Sequence, residues 1–228
     1  MWLAYYVLSV EMIFRHVPTI RGWTRGEAFL IVATLFIVEA FRVTFFRLNL
    51  KEFPTSVTEG NVDMILAKPV DAQFWVSLRQ VDFAGPTLFA GGVLFLLYAI
   101  RVVHIALSAK LIAGYVALVF CGALISYSLW FMLITCAFWY YRIDNVSDLF
   151  SRVIDMGRYP SAVFGGILKV IFYTIIPLAV ITNFPAEALR GTLTVAHLLY
   201  ALSLTAVFLF LARRFWLFAV SHYTSASS

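Results

Sequence analysis

The chain has 228 residues, 62% hydrophobic and 13% charged, with a mean hydropathy of +0.90, far from a soluble domain with its usual charged quarter or so. The 17 basic residues give a net charge of +5 but form no cluster with interleaved aromatics, which excludes nucleic acid as a partner. Apolar runs long enough to cross roughly 30 Å of hydrocarbon, about six of them, exclude the short alternating segments of a β-barrel and predict an all-α polytopic membrane helical bundle. The whole chain, 1–228, reads as a single transmembrane domain.

The first run, Trp2 to Val17, is short and interrupted by Glu11 and Arg15. The second, Glu27 to Leu48, holds Glu39 and Arg42 three apart on one face, the spacing of an ion pair. Two readings stand: Arg42 snorkels to the interface with Glu39 as its partner, or it binds a substrate. A polar segment then spans 49–80, where Glu59 to Ala67, between Pro54 and Pro69, predicts a short amphipathic helix. Val62, Ile65 and Leu66 share one of its faces; Glu59 and Asp63 share another.

The third span is predicted over Phe83 to Ile100, with Pro86 near its start and Gly91 and Gly92 inside, where close helix approach is easy. The fourth, Leu111 to Tyr141, is longer than a crossing requires, and Trp139, Tyr140 and Tyr141 mark an interfacial end. Residues 142–160 alternate charges with apolar residues at helical spacing, the pattern of an interfacial helix lying on the cytoplasmic membrane surface. A fifth span, Ala162 to Thr182, is broken by Pro177, and a sixth covers Leu193 to Ala212.

Most basic residues fall in the second connection, the fourth connection and the tail, so both termini and the long insert are expected on the cytoplasmic side. Cys121 and Cys136 lie on one helix, about 22 Å apart along its axis, too far to pair. No convincing cleavable signal opens the chain. His16, His104, His197 and His222 have no acidic or thiol neighbour at ligand spacing, so no metal site is expected. GxSxG, HExxH and GxxxxGK[ST] patterns are missing, so neither catalysis nor a nucleotide site of its own is expected. The later spans carry no acid between Asp82 and Asp144 or between Asp155 and Glu187, unlike an ion-coupled carrier.

Arg21, Gly22 and Trp23 after a short helix, then EGNVDMILAKPV from Glu59 to Val70, GRYP at Gly157 to Pro160, IIP ending at Pro177, Pro185, and YTSAS at Tyr223 to Ser227 occur in that order over nearly the whole chain. In these motifs the chain resembles the compact six-helix branch of ABC-2 type transporter permeases, whose recurrent Gly, Asp, Leu and basic-Pro positions are matched by Gly60, Asp63, Leu66, Lys68 and Pro69. Relative to that family it begins inside the first helix, implying an upstream start, a truncation or a re-entrant first helix.

The resemblance implies that two such permeases, as homodimer or heterodimer, form a path and that a separate ABC ATPase subunit docks on the coupling helix. ATP then belongs to that partner, and no cofactor is expected here. The docking residues are Glu59, Gly60, Val62, Asp63, Ile65, Leu66, Lys68 and Pro69, with Val62, Ile65 and Leu66 as anchors. Gly60 permits close approach and Pro69 stops the helix. Arg158 contacts lipid phosphate or joins the docking surface. The expected function is outward transport of an amphipathic or lipid-like compound across the cytoplasmic (inner) membrane; the alternative is a membrane scaffold that recruits a soluble partner without transport.

Overall fold

The computed structural model describes residues 2–140 and 146–223, apart from the side chains of Trp2 and Leu3. Tyr141, the start of the expected interfacial segment (142–145) and most of the terminal YTSAS motif lie outside the described residues.

Helix α1 (Trp2–Phe14) is linked to the next helix by a two-stranded hairpin, β1 (Thr19–Ile20) and β2 (Trp23–Thr24). Its turn residues Arg21 and Gly22 both have positive φ, as the tight primed turns require. Thr24 then caps α2 (Arg25–Phe41): its hydroxyl accepts from the Glu27 amide at 3.4 Å while the Glu27 carboxylate accepts from the Thr24 amide at 2.8 Å. The helix continues through a π-helical turn, Arg42–Arg47, into α3 (Leu48–Thr58), making one 34-residue rod from 25 to 58. Pro54, expected to bound the insert, sits inside this rod, and the stop comes six residues later at Gly60.

Two short helices follow, α4 (Val62–Leu66) and α5 (Ala72–Leu78), then α6 (Ala84–Val103) and α7 (Ala109–Thr135), extended by a 3-10 turn to Phe138. After α8 (Val146–Asp155) come α9 (Gly166–Val170) with a π-helical extension to Ile175, a bend, a second π-helical stretch Ala179–Asn183, α10 (Phe184–Arg190) and α11 (Val195–Ser221). Among the described residues four helices are long and apolar enough to cross a membrane: 25–58, Ala84–Val103, Ala109–Phe138 and Val195–Ser221. Gly166–Ile175 and Ala179–Arg190, bent by 68° around Pro177, make a broken fifth. Together with the shorter apolar α1 they form the all-α membrane bundle that the hydropathy predicts.

The rod and α7 occupy the centre: 72% and 67% of their apolar windows are buried, against 22% for α6 and α11, which leaves much of the latter two to face lipid or another chain. In hydrocarbon, apolar contact alone does not favour protein over lipid, so association relies on close packing through small residues. Accordingly α6 meets the rod at Gly85, against Thr44, and at Gly92, against Phe36 and Ile37.

The apolar side of α8 is shared: Phe150 and Ile154 are buried, Phe150 stacks on Trp130 at 5.9 Å, and the Trp130 indole donates to the Ser147 hydroxyl at 3.2 Å, while Leu149 stays 62% exposed. An isolated amphipathic sequence cannot say whether lipid or its own bundle takes the apolar side.

Gly122 on α7 lies against the backbone of the broken helix; a Cβ there would stand 2.9 Å from the Ile181 carbonyl oxygen and 3.0 Å from its Cα. Gly122→Ala should therefore cost about 1–3 kcal/mol and lower the thermal unfolding midpoint of the purified protein. Gly91→Ala, with nothing within 4 Å of the added carbon, should be neutral or stabilising by up to about 1 kcal/mol.

Candidate functional site: a strapped docking unit and an arginine-lined cavity

The insert between the second and third spans is built from a helix stop. Gly60, at φ +74, is the residue after the α3 cap; its amide donates to Val57 O at 3.2 Å and the Asn61 amide donates to Ser56 O at 2.9 Å. That pair of bonds is a Schellman motif, which needs a left-handed residue here and gives Gly60 a structural reason of its own. The turn leads into α4, which packs against α5, and Asp71 starts α5 by accepting from the Phe74 amide at 3.0 Å.

Four polar contacts tie α5 and the following loop to three spans. Glu52 of α3 pairs with Arg79. Asn49, 1% exposed, clamps Gln80 from both sides, donating to its carbonyl at 2.8 Å and accepting from its amide at 3.0 Å. The buried Tyr127 hydroxyl of α7 meets the Ser77 hydroxyl at 2.8 Å and accepts from Gln73 at 3.2 Å. Arg213 of α11 pairs with Asp71 at 2.7 Å and donates to the Gln73 carbonyl oxygen at 3.1 Å. One turn further, Arg47 and Asp82 form an ion pair that fixes the start of α6.

The eight residues expected to dock a partner divide between two faces. Val62 (0% exposed) and Ile65 (7%) are buried in the chain's own core and Leu66 packs against it, so these three are not free to anchor another protein. Outward stand Glu59, Asp63, Lys68 and Pro69, with Met64, which the sequence did not single out, 66% exposed among them. The Lys68 ammonium lies 4.3 Å above the Trp75 ring. Gly60 is half-buried.

Arg158 belongs neither to this unit nor to an exposed lipid-facing position. It lines a cavity of about 610 Å³ between α1, the rod and α8, with Tyr6, Phe36, Glu39, Arg42, Arg152 and Asp155 among its neighbours in the wall. Its guanidinium lies 5.7, 5.1 and 4.8 Å from the ring centres of Tyr5, Tyr6 and Tyr159. The expected Glu39–Arg42 pair is present, Arg42 Nε donating to the Glu39 carboxylate at 2.6 Å. Arg42 does not snorkel to the interface; it is 6% exposed, with its guanidinium 4.6 Å above the centre of the Trp130 ring. Asp155 has a carboxyl pushed above the ordinary range, chiefly by burial, and the Tyr6 hydroxyl donates to it. No group of three or more metal-ligating side chains occurs among the described residues.

The family model described as ABC-2 family transporter protein matches residues 1–227, and the chain belongs to that family. It is thus a multi-pass membrane permease subunit of an ABC transporter. Searches of curated proteins and of solved structures gave no match.

The Asp71 carboxyl is held below its ordinary range, first by its hydrogen bond to Arg213, against a smaller opposing effect of burial. A depressed carboxyl stabilises the fold above its unfolded pKa of about 4 and loses that contribution as pH falls through the lower folded value. Amide exchange over 72–78 should therefore be slow and flat from neutral pH down to about 5 once corrected for intrinsic exchange, and accelerate below about 4. Arg213→Gln should show the faster exchange near neutral pH and converge with the parent below about 4, and salt should narrow the difference because the pair is partly exposed.

Proposed function

We propose that this permease works in an ATP-driven exporter that moves an amphipathic or lipid-like compound outward, with hydrolysis on a separate ABC ATPase bound at Glu59–Pro69. The observation that carries the reading is the combination of an outward face at Glu59, Asp63, Met64 and Lys68 with straps from the same unit to α3, α7 and α11. A partner pressing on Met64 and its charged rim displaces α5, and α5 cannot move without pulling on three spans. Exposed apolar surface ringed by charge is the chemistry of a protein docking site, and a single anchor there carries a large share of binding. ATP would be held by the partner, since none of the nucleotide-cradling patterns sought is present in this chain.

Two permeases, identical or paired with a second related chain, would complete the path, consistent with the poorly buried faces of α6 and α11. The reading also places the chain in the cytoplasmic (inner) membrane with both termini and the docking unit on the cytoplasmic side, as the distribution of basic residues suggests.

The test is co-purification of the tagged chain with the ABC ATPase encoded beside it. Met64→Glu should lower ATPase recovery at least tenfold while leaving the size-exclusion profile unchanged. Gly60 is the poorer probe, because any side chain there strains the helix stop. If no ATPase co-purifies, or Met64→Glu recovers as much as the parent, docking at this face is wrong. If the ATPase binds but ATP drives no efflux from vesicles, the scaffold function replaces transport.

A further inference from the structure

Four arginines reach the cavity wall, and two of them form no salt bridge among the described residues. Arg42 is paired with Glu39, and Arg47 with Asp82. Neither Arg152 nor Arg158 forms a salt bridge among the described residues. Arg158 Nε is buried with no hydrogen-bond partner, a costly state for a guanidinium N–H. Of the three acids in the wall, Glu39 pairs with Arg42, Asp155 accepts from Tyr6 and Asp148 is exposed, which leaves one more arginine than acid facing the cavity. Beside the arginines the wall turns apolar, with Leu35, Phe36, Val43 and Leu88.

We propose that this cavity is the loading site of the permease and takes an amphiphile whose single anionic head group, of the phosphate class, is held by Arg152 and Arg158 while its alkyl tail lies along Leu35, Phe36, Val43 and Leu88. Guanidinium forks match phosphate oxygens in geometry, and neither Arg152 nor Arg158 spends its fork on a carboxylate among the described residues. A volume of about 610 Å³ suits a head group with part of a chain. An organic cation fits less well, because the Tyr5, Tyr6 and Tyr159 rings that would receive it already surround the Arg158 guanidinium. The word "loading" rests on the transport reading above; binding itself requires neither ATP nor a partner.

The experiment is equilibrium dialysis of radiolabelled dodecyl phosphate against the full-length chain in nanodiscs of a zwitterionic phospholipid, with empty nanodiscs subtracted. Saturable binding is expected, with dodecyl phosphate at least tenfold tighter than inorganic phosphate, dodecanol or dodecyltrimethylammonium used as competitors. Arg152→Gln, at an exposed position that folding tolerates, and Arg158→Gln should each weaken binding at least tenfold, with Arg158→Lys intermediate. Inorganic phosphate competing as well as dodecyl phosphate would reduce the site to one for a free anion and overturn the amphiphile. Equal competition by the cation or the alcohol, or binding unaffected by both glutamine variants, would overturn the head-group assignment. Met64→Glu should bind dodecyl phosphate normally, so a failure of partner docking and a failure of this site are read separately.

Discussion

Everything in this molecule is referred to a single rod, the helix that runs 34 residues from Arg25 to Thr58. At 1.5 Å per residue it is about 51 Å long, well beyond the roughly 30 Å of a hydrocarbon core, so it must tilt strongly or project. At one end Glu27 both closes the helix cap and pairs with Arg190 at 2.7 Å, while the Arg190 guanidinium sits 4.4 Å from the Trp23 ring centre. In its middle it presents Glu39 and Arg42 to the cavity, and at the other end Asn49 and Glu52 hold the docking unit. A soluble protein would distribute these jobs over several elements. Here hydrogen-bond self-sufficiency within a helix makes one long element the cheapest carrier of all three.

The same rule explains the polar residues buried around the broken fifth span. A 68° bend frees carbonyls and amides that hydrocarbon cannot satisfy, and next to it the Tyr200 hydroxyl donates to Tyr173 O at 2.7 Å. Thr182 and Asn183 instead serve the connection before the span, Thr182 donating to Gly157 O and Asn183 accepting from the Ser161 amide, each at 2.7 Å. Thr182 and Asn183 are 0% and 1% exposed. Ile181, next to them, lies against Gly122 of α7, which holds this stretch in the protein interior, where non-helical backbone is tolerated.

Helix existence was legible because crossing hydrocarbon imposes length and composition locally, and the break at Pro177 was legible because proline acts on its own turn. The second span was expected to end at Leu48 and the insert to be bounded by Pro54, yet the helix runs through both, since a proline within a long helix held by tertiary contacts bends or loosens it without ending it; the glycine six residues after Pro54 supplies the left-handed cap. For the docking unit the period showed two faces but not their neighbours. Val62, Ile65 and Leu66 looked like anchors for a partner, whereas α5 and the bundle beneath were there to take them, leaving Met64 outward. The straps were beyond reach altogether: Arg213 meets Asp71 from 142 residues away, and it read as one more basic residue at the end of a span. Arg158 was assigned to lipid or partner for the same reason, because the tyrosines that enclose it come mostly from the first helix.

The π-helical turn at Arg42–Arg47 links the two halves of this picture. In an α-helix, residues five apart point about 140° away from each other, so Arg42 and Arg47 could not both face one cavity. With i to i+5 bonding they stand nearly one above the other, and both line the wall. The turn thus brings two of the wall's four arginines to one side, and it lies between the cavity residue Glu39 and the strap residues Asn49 and Glu52. Such wide turns have weaker bond geometry than the α-helix around them. Any displacement of the docking unit relative to the rod's buried half must pass through this six-residue segment, because the chain on either side of it is continuous α-helix.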